Sequence, residues 1–317
     1  MSALSLPAHA AVHSNDWLHG MIADLPTPFH ADGGLDLLTF ARLCERQACA
    51  GASAVVIGGA VGEGDTLSED ERMTLIRTAV GIARGRLRII AGAGSNCTSR
   101  AIEWTRMAQS AGADAAISVV PYYNKPTADG IVAHFRAIID ATTLPIILHD
   151  APSRCARTLV DDVIINLAAS PRLIGLCDDT GGASRLARLR PLLPPGFRFL
   201  TGHDAMALPY LLTGGDGVVS AVANIAPQLC RGMFYGTRKG CPRYATTISD
   251  MLMPLGEVLS SAAQVSSAVK YAMSLRGLGN LAVRLPRVLL DEAEQHQVQM
   301  AMQAIWASPD EVMSRAI

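Results

Sequence analysis

The chain has 317 residues, of which 50% are hydrophobic and 17% are charged, and its formal net charge is -1. This composition supports a large buried core and gives no reason to expect a polyanion such as nucleic acid as a partner. No run approaches the 18 consecutive apolar residues that a membrane-spanning helix requires, so no membrane span is expected.

Eight short apolar runs with the character of β-strands recur along the chain. They cover residues 21–25, 54–57, 87–91, 115–120, 145–149, 173–177, 197–201 and 217–221. The segments between them have helical spacing of apolar residues. Two connections, at 50–53 and 111–114, place a glycine where a helix ends in a left-handed cap. Strands and helices therefore alternate throughout.

This alternation predicts an α/β fold, a (β/α)8 TIM barrel with additional C-terminal helices. A doubly wound open sheet is the alternative, but it calls for a G-x-G-x-x-G loop after the first strand, and residues 26–28 read PTP instead. Helices are predicted at 227–238, 242–261, 265–275 and 286–305. We expect one domain overall, with an N-terminal extension (1–19), the barrel (20–226) and a C-terminal helical layer packed on the barrel (227–317).

The seven cysteines include no C-x-x-C pair. They are interpreted as reduced thiols. The first nineteen residues contain no lysine or arginine and no apolar stretch long enough for a signal peptide. We therefore expect a cytoplasmic protein.

Four motifs follow predicted strands, at the barrel end where such folds build their sites. They are GGAVGE at 58–63, PYYNKP at 121–126, HDAPSR at 149–154 and GHD at 202–204. The first three resemble the motifs G-T-T-G-E, P-Y-Y-N-[RK]-P and Y-N-x-P-x-R of the dihydrodipicolinate synthase and N-acetylneuraminate lyase family. The likeness extends along the whole chain.

The resemblance implies class I aldolase chemistry, in which a strand-six lysine in I-G-[IL]-K-[ED] forms a Schiff base with pyruvate. A strand-five tyrosine, a threonine after strand two and a second tyrosine from a neighbouring subunit would relay protons. This sequence departs from that pattern, because Ala60 and Val61 replace the threonines, His149 replaces the strand-five tyrosine and Cys177 replaces the lysine. Of the relay, Tyr123 remains.

None of the three lysines is expected to stand in for the missing amine, which an imine requires. Lys125 follows strand four, Lys239 lies in a polar turn and Lys270 falls in a C-terminal helix. The sequence therefore predicts a divergent member of the family without its Schiff-base mechanism.

A carboxylate site is expected to survive. In the resembled family, backbone N–H groups after strand two hold the substrate carboxylate, and Ala60 and Val61 keep those donors. Arg154 offers a bidentate anchor. We predict these three residues, with Gly202 and Asp24, as substrate-binding, and a 2-oxoacid such as pyruvate as the ligand.

His149, Tyr123 and Cys177 are predicted to be catalytic, and several alternatives stay open. Cys177 is either a nucleophile activated by His149 or a small buried hydrophobe. His149 is either an acid–base group or a buried imidazole satisfied by hydrogen bonds. Together with Asp24 and His203 these groups are also of the types that hold zinc, but residues from different strands provide no diagnostic spacing, so no metal and no cofactor is assigned.

Other polar residues have simpler explanations. Tyr122 and Tyr123 are suited to an oligomer interface. Asp178 and Asp179 are interpreted as loop caps before two glycines.

Two functions remain. The first is a repurposed lyase-family enzyme that uses His149, and the second is a non-catalytic homologue that binds a small acid or regulates a partner. In either case the resemblance implies a homo-oligomer, a dimer or a tetramer.

Overall fold

The protein is described by a computed structural model over residues 15–306. Eight parallel strands close into a barrel in sequence order, each paired with its neighbours and the eighth with the first. The TIM barrel predicted from the sequence is confirmed, and the open sheet is excluded. Within residues 15–306 no helix is both long and apolar enough to cross a membrane.

The strands are β1 (Gly20–Asp24), β2 (Ala54–Ile57), β3 (Arg88–Gly92), β4 (Ala115–Val119), β5 (Ile146–Asp150), β6 (Leu173–Asp178), β7 (Arg198–Thr201) and β8 (Gly217–Ser220). The α-helices are α1 (Leu37–Ala50), α2 (Glu69–Ala83), α3 (Thr98–Ser110), α4 (Ala128–Ala141), α5 (Pro152–Cys155), α6 (Asp161–Ala168), α7 (Ala183–Leu189), α8 (Ala207–Leu212), α9 (Pro227–Arg238), α10 (Pro242–Ser261), α11 (Val265–Ser274) and α12 (Glu292–Trp306).

Local sequence signals set several of these boundaries. The Asp36 side chain caps α1, and Gly51 ends that helix with φ 74°, a left-handed conformation that glycine adopts without steric cost. Ser68 and Glu71 form a reciprocal capping box at the start of α2. These signals fix where each helix meets the strand beside it.

Two apolar layers flank the sheet. Side chains such as Ile22, Val56 and Ile147 fill the barrel interior. Leu18 is fully buried there, although the sequence places it in the N-terminal extension. The larger outer cluster lies between the sheet and the helices and includes residues of α9, α10, α11 and α12, so the C-terminal helices share one core with the barrel.

The predicted start of the last helix was wrong. Helix α12 begins at Glu292 and not at residue 286, because Asp291 caps it through the backbone N–H of Glu294 at 2.8 Å. The preceding segment is held by other parts of the protein. The N–H of Arg284 donates to Glu63, and the N–H of Val288 donates to the side chain of Gln264.

Candidate functional site

A polar cavity of about 100 Å³ opens at the carboxyl ends of the strands, with residues of α10 and α11 on its far side. Its lining includes Asp24, Ala60, Val61, His149, Arg154, Cys177, Asp179, Gly202 and His203. The structure therefore brings together all of the predicted site residues except Tyr123.

His149 and Asp179 form a hydrogen-bonded pair in this cavity. His149 Nε2 lies 2.8 Å from Asp179 Oδ2, and the N–H of Gly202 donates to Asp179 Oδ1 at 2.9 Å. Burial by itself lowers the pKa of His149, but the Asp179 carboxylate outweighs it and leaves that pKa above its usual value. Burial raises the pKa of Asp179, yet His149 brings it below the usual range. Each partner thus favours the charged form of the other.

Cys177 lies beside this pair, and its thiol contacts the carboxylate. Its Sγ is 3.7 Å from Asp179 Oδ1, and the side chain is fully buried in the barrel interior. Burial, followed by the charges of Asp179 and Asp178, raises the pKa of the thiol well above its ordinary value. This arrangement does not support the predicted activation of Cys177 by His149, because a carboxylate neighbour disfavours the thiolate.

Asp24 occupies the opposite wall, with its carboxylate buried at the end of β1. The N–H of Val61 donates to its Oδ2 at 3.1 Å, whereas its buried Oδ1 has no hydrogen-bond partner among the described residues. Burial raises the pKa of Asp24 to about 6. The Val61 donor that we expected to bind a substrate carboxylate is therefore engaged by Asp24.

Glycines make room for both carboxylates. A Cβ atom on Gly59 would collide with the carboxylate of Asp24, and one on Gly202 would collide with that of Asp179. The backbone approaches closely at these two positions only because they lack a side chain.

Two groups in the cavity remain available. Arg154, at the mouth on α5, is exposed, and its guanidinium donates no hydrogen bond to any residue in the described range. The Nδ1 atom of His203 is buried, and no partner for it is present among those residues. An anion entering the cavity would meet Arg154 first.

Tyr123 is the one predicted site residue that does not line the cavity. It lies in the loop after β4 with φ 70°, and its side chain is 90% exposed. Tyr122 is half-buried against the apolar core. Tyr123 therefore does not line the cavity of the single chain.

The loop after β2 is held in place from the C-terminal layer. Lys270 on α11 is buried, and its Nζ lies 2.5 Å from Glu63 Oε1 and 2.7 Å from the carbonyl oxygen of Ala282. Phe29 lies under the ammonium group, 4.4 Å from Nζ to the ring centroid. This lysine is engaged in a structural ion pair and does not point into the cavity.

Asp179 is the residue that sequence reasoning assigned to the wrong role. Both Asp178 and Asp179 were interpreted as loop caps. Asp178 has this role, because its Oδ1 accepts the N–H of Thr180 at 2.9 Å, whereas Asp179 lines the cavity. A signal was present, because residues 177 and 179 are two apart and side chains two apart on a strand share one face.

Comparisons with known proteins agree over nearly the whole chain. The profile of the dihydrodipicolinate synthetase family matches residues 17–305. The 4-hydroxy-tetrahydrodipicolinate synthase of Thiobacillus denitrificans is 42% identical over 283 residues, which cover 89% of this chain and 95% of that protein.

Solved structures give the same result. The 4-hydroxy-tetrahydrodipicolinate synthase of Methylacidiphilum fumariolicum superposes with a TM-score of 0.88 at 32% identity, covering 94% of this chain and 98% of that one. The synthase of Cyanidioschyzon merolae superposes with a TM-score of 0.88 at 34% identity, covering 92% and 99%. The chain therefore belongs to the dihydrodipicolinate synthetase family.

Proposed function

We propose that this chain is a lyase-family protein that binds a small 2-oxoacid such as pyruvate without forming a Schiff base. The observation that carries the proposal is the thiol of Cys177 near the end of β6, where the family resemblance leads us to expect the amine. The lysines elsewhere support it. Lys125 and Lys239 are exposed and lie outside the cavity lining, and Lys270 is paired with Glu63.

In this proposal His149 is the acid–base group and Asp179 orients it. The hydrogen bond from Nε2 to Asp179 fixes the ring and leaves Nδ1 to exchange a proton with the substrate, as a carboxylate-oriented imidazole does in acyl-transfer enzymes. Arg154 binds the substrate carboxylate at the mouth. The chemistry best suited to these groups is proton transfer next to the carbonyl of the 2-oxoacid.

Binding is tested by isothermal titration calorimetry with pyruvate. Arg154→Ala is expected to weaken binding by about ten- to a hundredfold, since a hydrogen bond between charged groups contributes roughly 1.5–3 kcal/mol. Arg157→Ala is the matched control, because Arg157 is close in sequence but does not line the cavity. Equal affinities in the two variants would contradict the role of Arg154.

Proton transfer is tested by NMR, from the exchange of pyruvate methyl protons with deuterium in heavy water. The protein is expected to accelerate this exchange, and His149→Gln is expected to slow it by roughly a hundredfold or more. Binding without accelerated exchange would instead support the second function, a non-catalytic acid-binding homologue. Ala60, Val61 and Cys177 favour that alternative, because they stand where the resemblance leads us to expect side chains that take part in catalysis.

We further propose that the chain forms a homo-oligomer in which Tyr123 contacts a neighbouring subunit. Its nearly full exposure on a loop that carries two tyrosines supports this arrangement. Light scattering at micromolar concentration is expected to detect a dimer or a tetramer, and a monomer at every concentration would contradict it.

A further inference from the structure

Three potential metal ligands of different chemistry meet at the base of the cavity. The donor atoms of His149, Cys177 and Asp179 all lie within 4.8 Å of one another. Tetrahedral zinc sites place their ligands about 2.0–2.3 Å from the metal, so a shift of roughly 1 Å in the side chains would close this set around an ion.

A second carboxylate, that of Asp24, lines the opposite wall of the same cavity. Asp24 interacts electrostatically with His149 and Asp179 and is 8% exposed. Its Oδ1 atom is buried without a hydrogen-bond partner among the described residues. A buried, unpartnered carboxylate oxygen is costly unless a donor or a cation reaches it.

The combination of nitrogen, sulfur and carboxylate oxygen determines the class of ion. Calcium and magnesium take oxygen ligands, whereas thiolate and imidazole select zinc and its borderline-soft neighbours such as cobalt. Two carboxylates also provide the negative charge that a divalent cation needs in a buried position. We propose that His149, Cys177 and Asp179 bind one zinc-class ion, with the buried Asp24 carboxylate in the same cavity adding negative charge. No metal was assigned here from the sequence, because the candidate ligands considered there come from separate strands and did not include Asp179.

Ion binding and the proposed acid–base pair exclude each other. Nε2 of His149 now shares a proton with Asp179, and the ion would take the place of that proton while the thiol proton of Cys177 leaves to solvent. We therefore expect zinc to inhibit any activity that depends on His149. The metal site itself does not depend on the proposed function, because the same side chains are present whether or not the protein is an enzyme.

Cobalt(II) is the direct probe, because a Co–thiolate bond gives a charge-transfer band in the near ultraviolet and tetrahedral cobalt gives intense visible bands. The chelator-treated protein is titrated with Co²⁺ alone and then with Zn²⁺. We expect both band sets at one ion per chain, and their loss as zinc displaces cobalt. No charge-transfer band at saturating cobalt would overturn the proposal.

Variants assign the ligands. Cys177→Ser is expected to abolish the charge-transfer band, and Asp24→Asn and Asp179→Asn to weaken cobalt binding by about tenfold or more. Cys155→Ser is the matched control, since Cys155 is equally buried but its Sγ contacts the carbonyl oxygen of Val120. His296→Gln, at an exposed histidine of α12, controls for binding outside the cavity.

Metal binding is measured without any substrate, so these results test the metal site independently of the proposed function. A band that persists in Cys177→Ser, or that disappears in Cys155→Ser, would overturn the site. Circular dichroism of each variant confirms that it is folded. Failure of pyruvate binding with intact cobalt bands would reject the proposed function and leave the metal site standing.

Discussion

The thiol of Cys177 and the imidazole of His149 lie on neighbouring strands, opposite each other in the register of β5 and β6. Such a pair is a usual source of an activated thiolate. Asp179 changes the outcome, because it takes the imidazole hydrogen bond and also faces the sulfur. Burial and this third side chain therefore both disfavour a thiolate at position 177.

Cys177 is expected to resist alkylation. Burial and neighbouring acids raise the pKa of its thiol, so little thiolate forms near neutral pH. Iodoacetamide at pH 8 followed by peptide mapping is expected to label Cys49, Cys97 and Cys241, which are exposed, before Cys177. Labelling of Cys177 first would restore the nucleophile interpretation.

Much of the cavity could be predicted from single residues. His149, Cys177, Asp24 and Arg154 stand at strand ends or just beyond, and parallel strands end at one edge of the barrel. The hydrogen bonds could not be predicted in the same way. Whether Asp179 turns inward, or Val61 donates to Asp24, depends on ångström-scale distances between different strands that sequence spacing does not encode.

At the scale of elements, the loop after β2 depends on α11. Glu63 is fully buried and accepts hydrogen bonds from Lys270 Nζ and from the N–H of Arg284. This contact fixes the turn that carries Ala60 and Val61 into the cavity. The C-terminal layer thus positions part of the site.

Lys270→Met is expected to destabilise the protein by about 3–5 kcal/mol, because it leaves the Glu63 carboxylate buried and unpaired. Adding Glu63→Gln should recover part of that loss, since the buried charge is then removed. Lys239→Met, at an exposed turn, is the control. Urea denaturation measures all of these variants, and a loss below about 1 kcal/mol in Lys270→Met would show that the pair contributes little.

His134 on α4 predicts acid sensitivity. Burial lowers its pKa to about 4, with its Nδ1 2.9 Å from Thr98 Oγ1. In the unfolded chain His134 has the ordinary pKa near 6.5 and binds a proton more readily than in the folded protein. The contribution of the neutral His134 to the free energy of unfolding is therefore complete above pH 6.5 and is lost as the pH falls towards 4.

Protonation of His134 lowers the free energy of unfolding by at most about 3 kcal/mol. Urea denaturation at pH 7 and pH 5 is expected to show a smaller difference for His134→Gln than for the unchanged protein. His296→Gln serves as the control because His296 is exposed. An identical pH dependence in His134→Gln and the unchanged protein would contradict this account.

Element boundaries were predictable where the chain carries local signals. Every strand lies within one residue of its predicted start and end, and α9 and α10 match theirs, since apolar runs and glycine or proline punctuation mark them. The start of α12 could not be predicted in this way. The segment before it has apolar residues at helical spacing, but hydrogen bonds to Glu63, Gln264 and Ser267, which are distant in sequence, hold it in another conformation.

The whole molecule has the fold of the dihydrodipicolinate synthetase family. Identity of 42% and a TM-score of 0.88 place the barrel securely in the family. Neither value reports on the side chains at the strand ends, and fold does not determine chemistry. Our central claim is that this member handles a small acid without an imine.

Borohydride trapping with pyruvate tests that claim most directly. Borohydride reduction of a Schiff base with pyruvate would leave a 1-carboxyethyl group on the lysine nitrogen, which intact-mass spectrometry detects. Cys177→Lys is the positive control and is expected to show a partial adduct, because Asp24 and Asp179 would keep part of the new amine protonated. For the unchanged protein we predict no change in mass, and a 1-carboxyethyl adduct on Lys125, Lys239 or Lys270 would contradict the account.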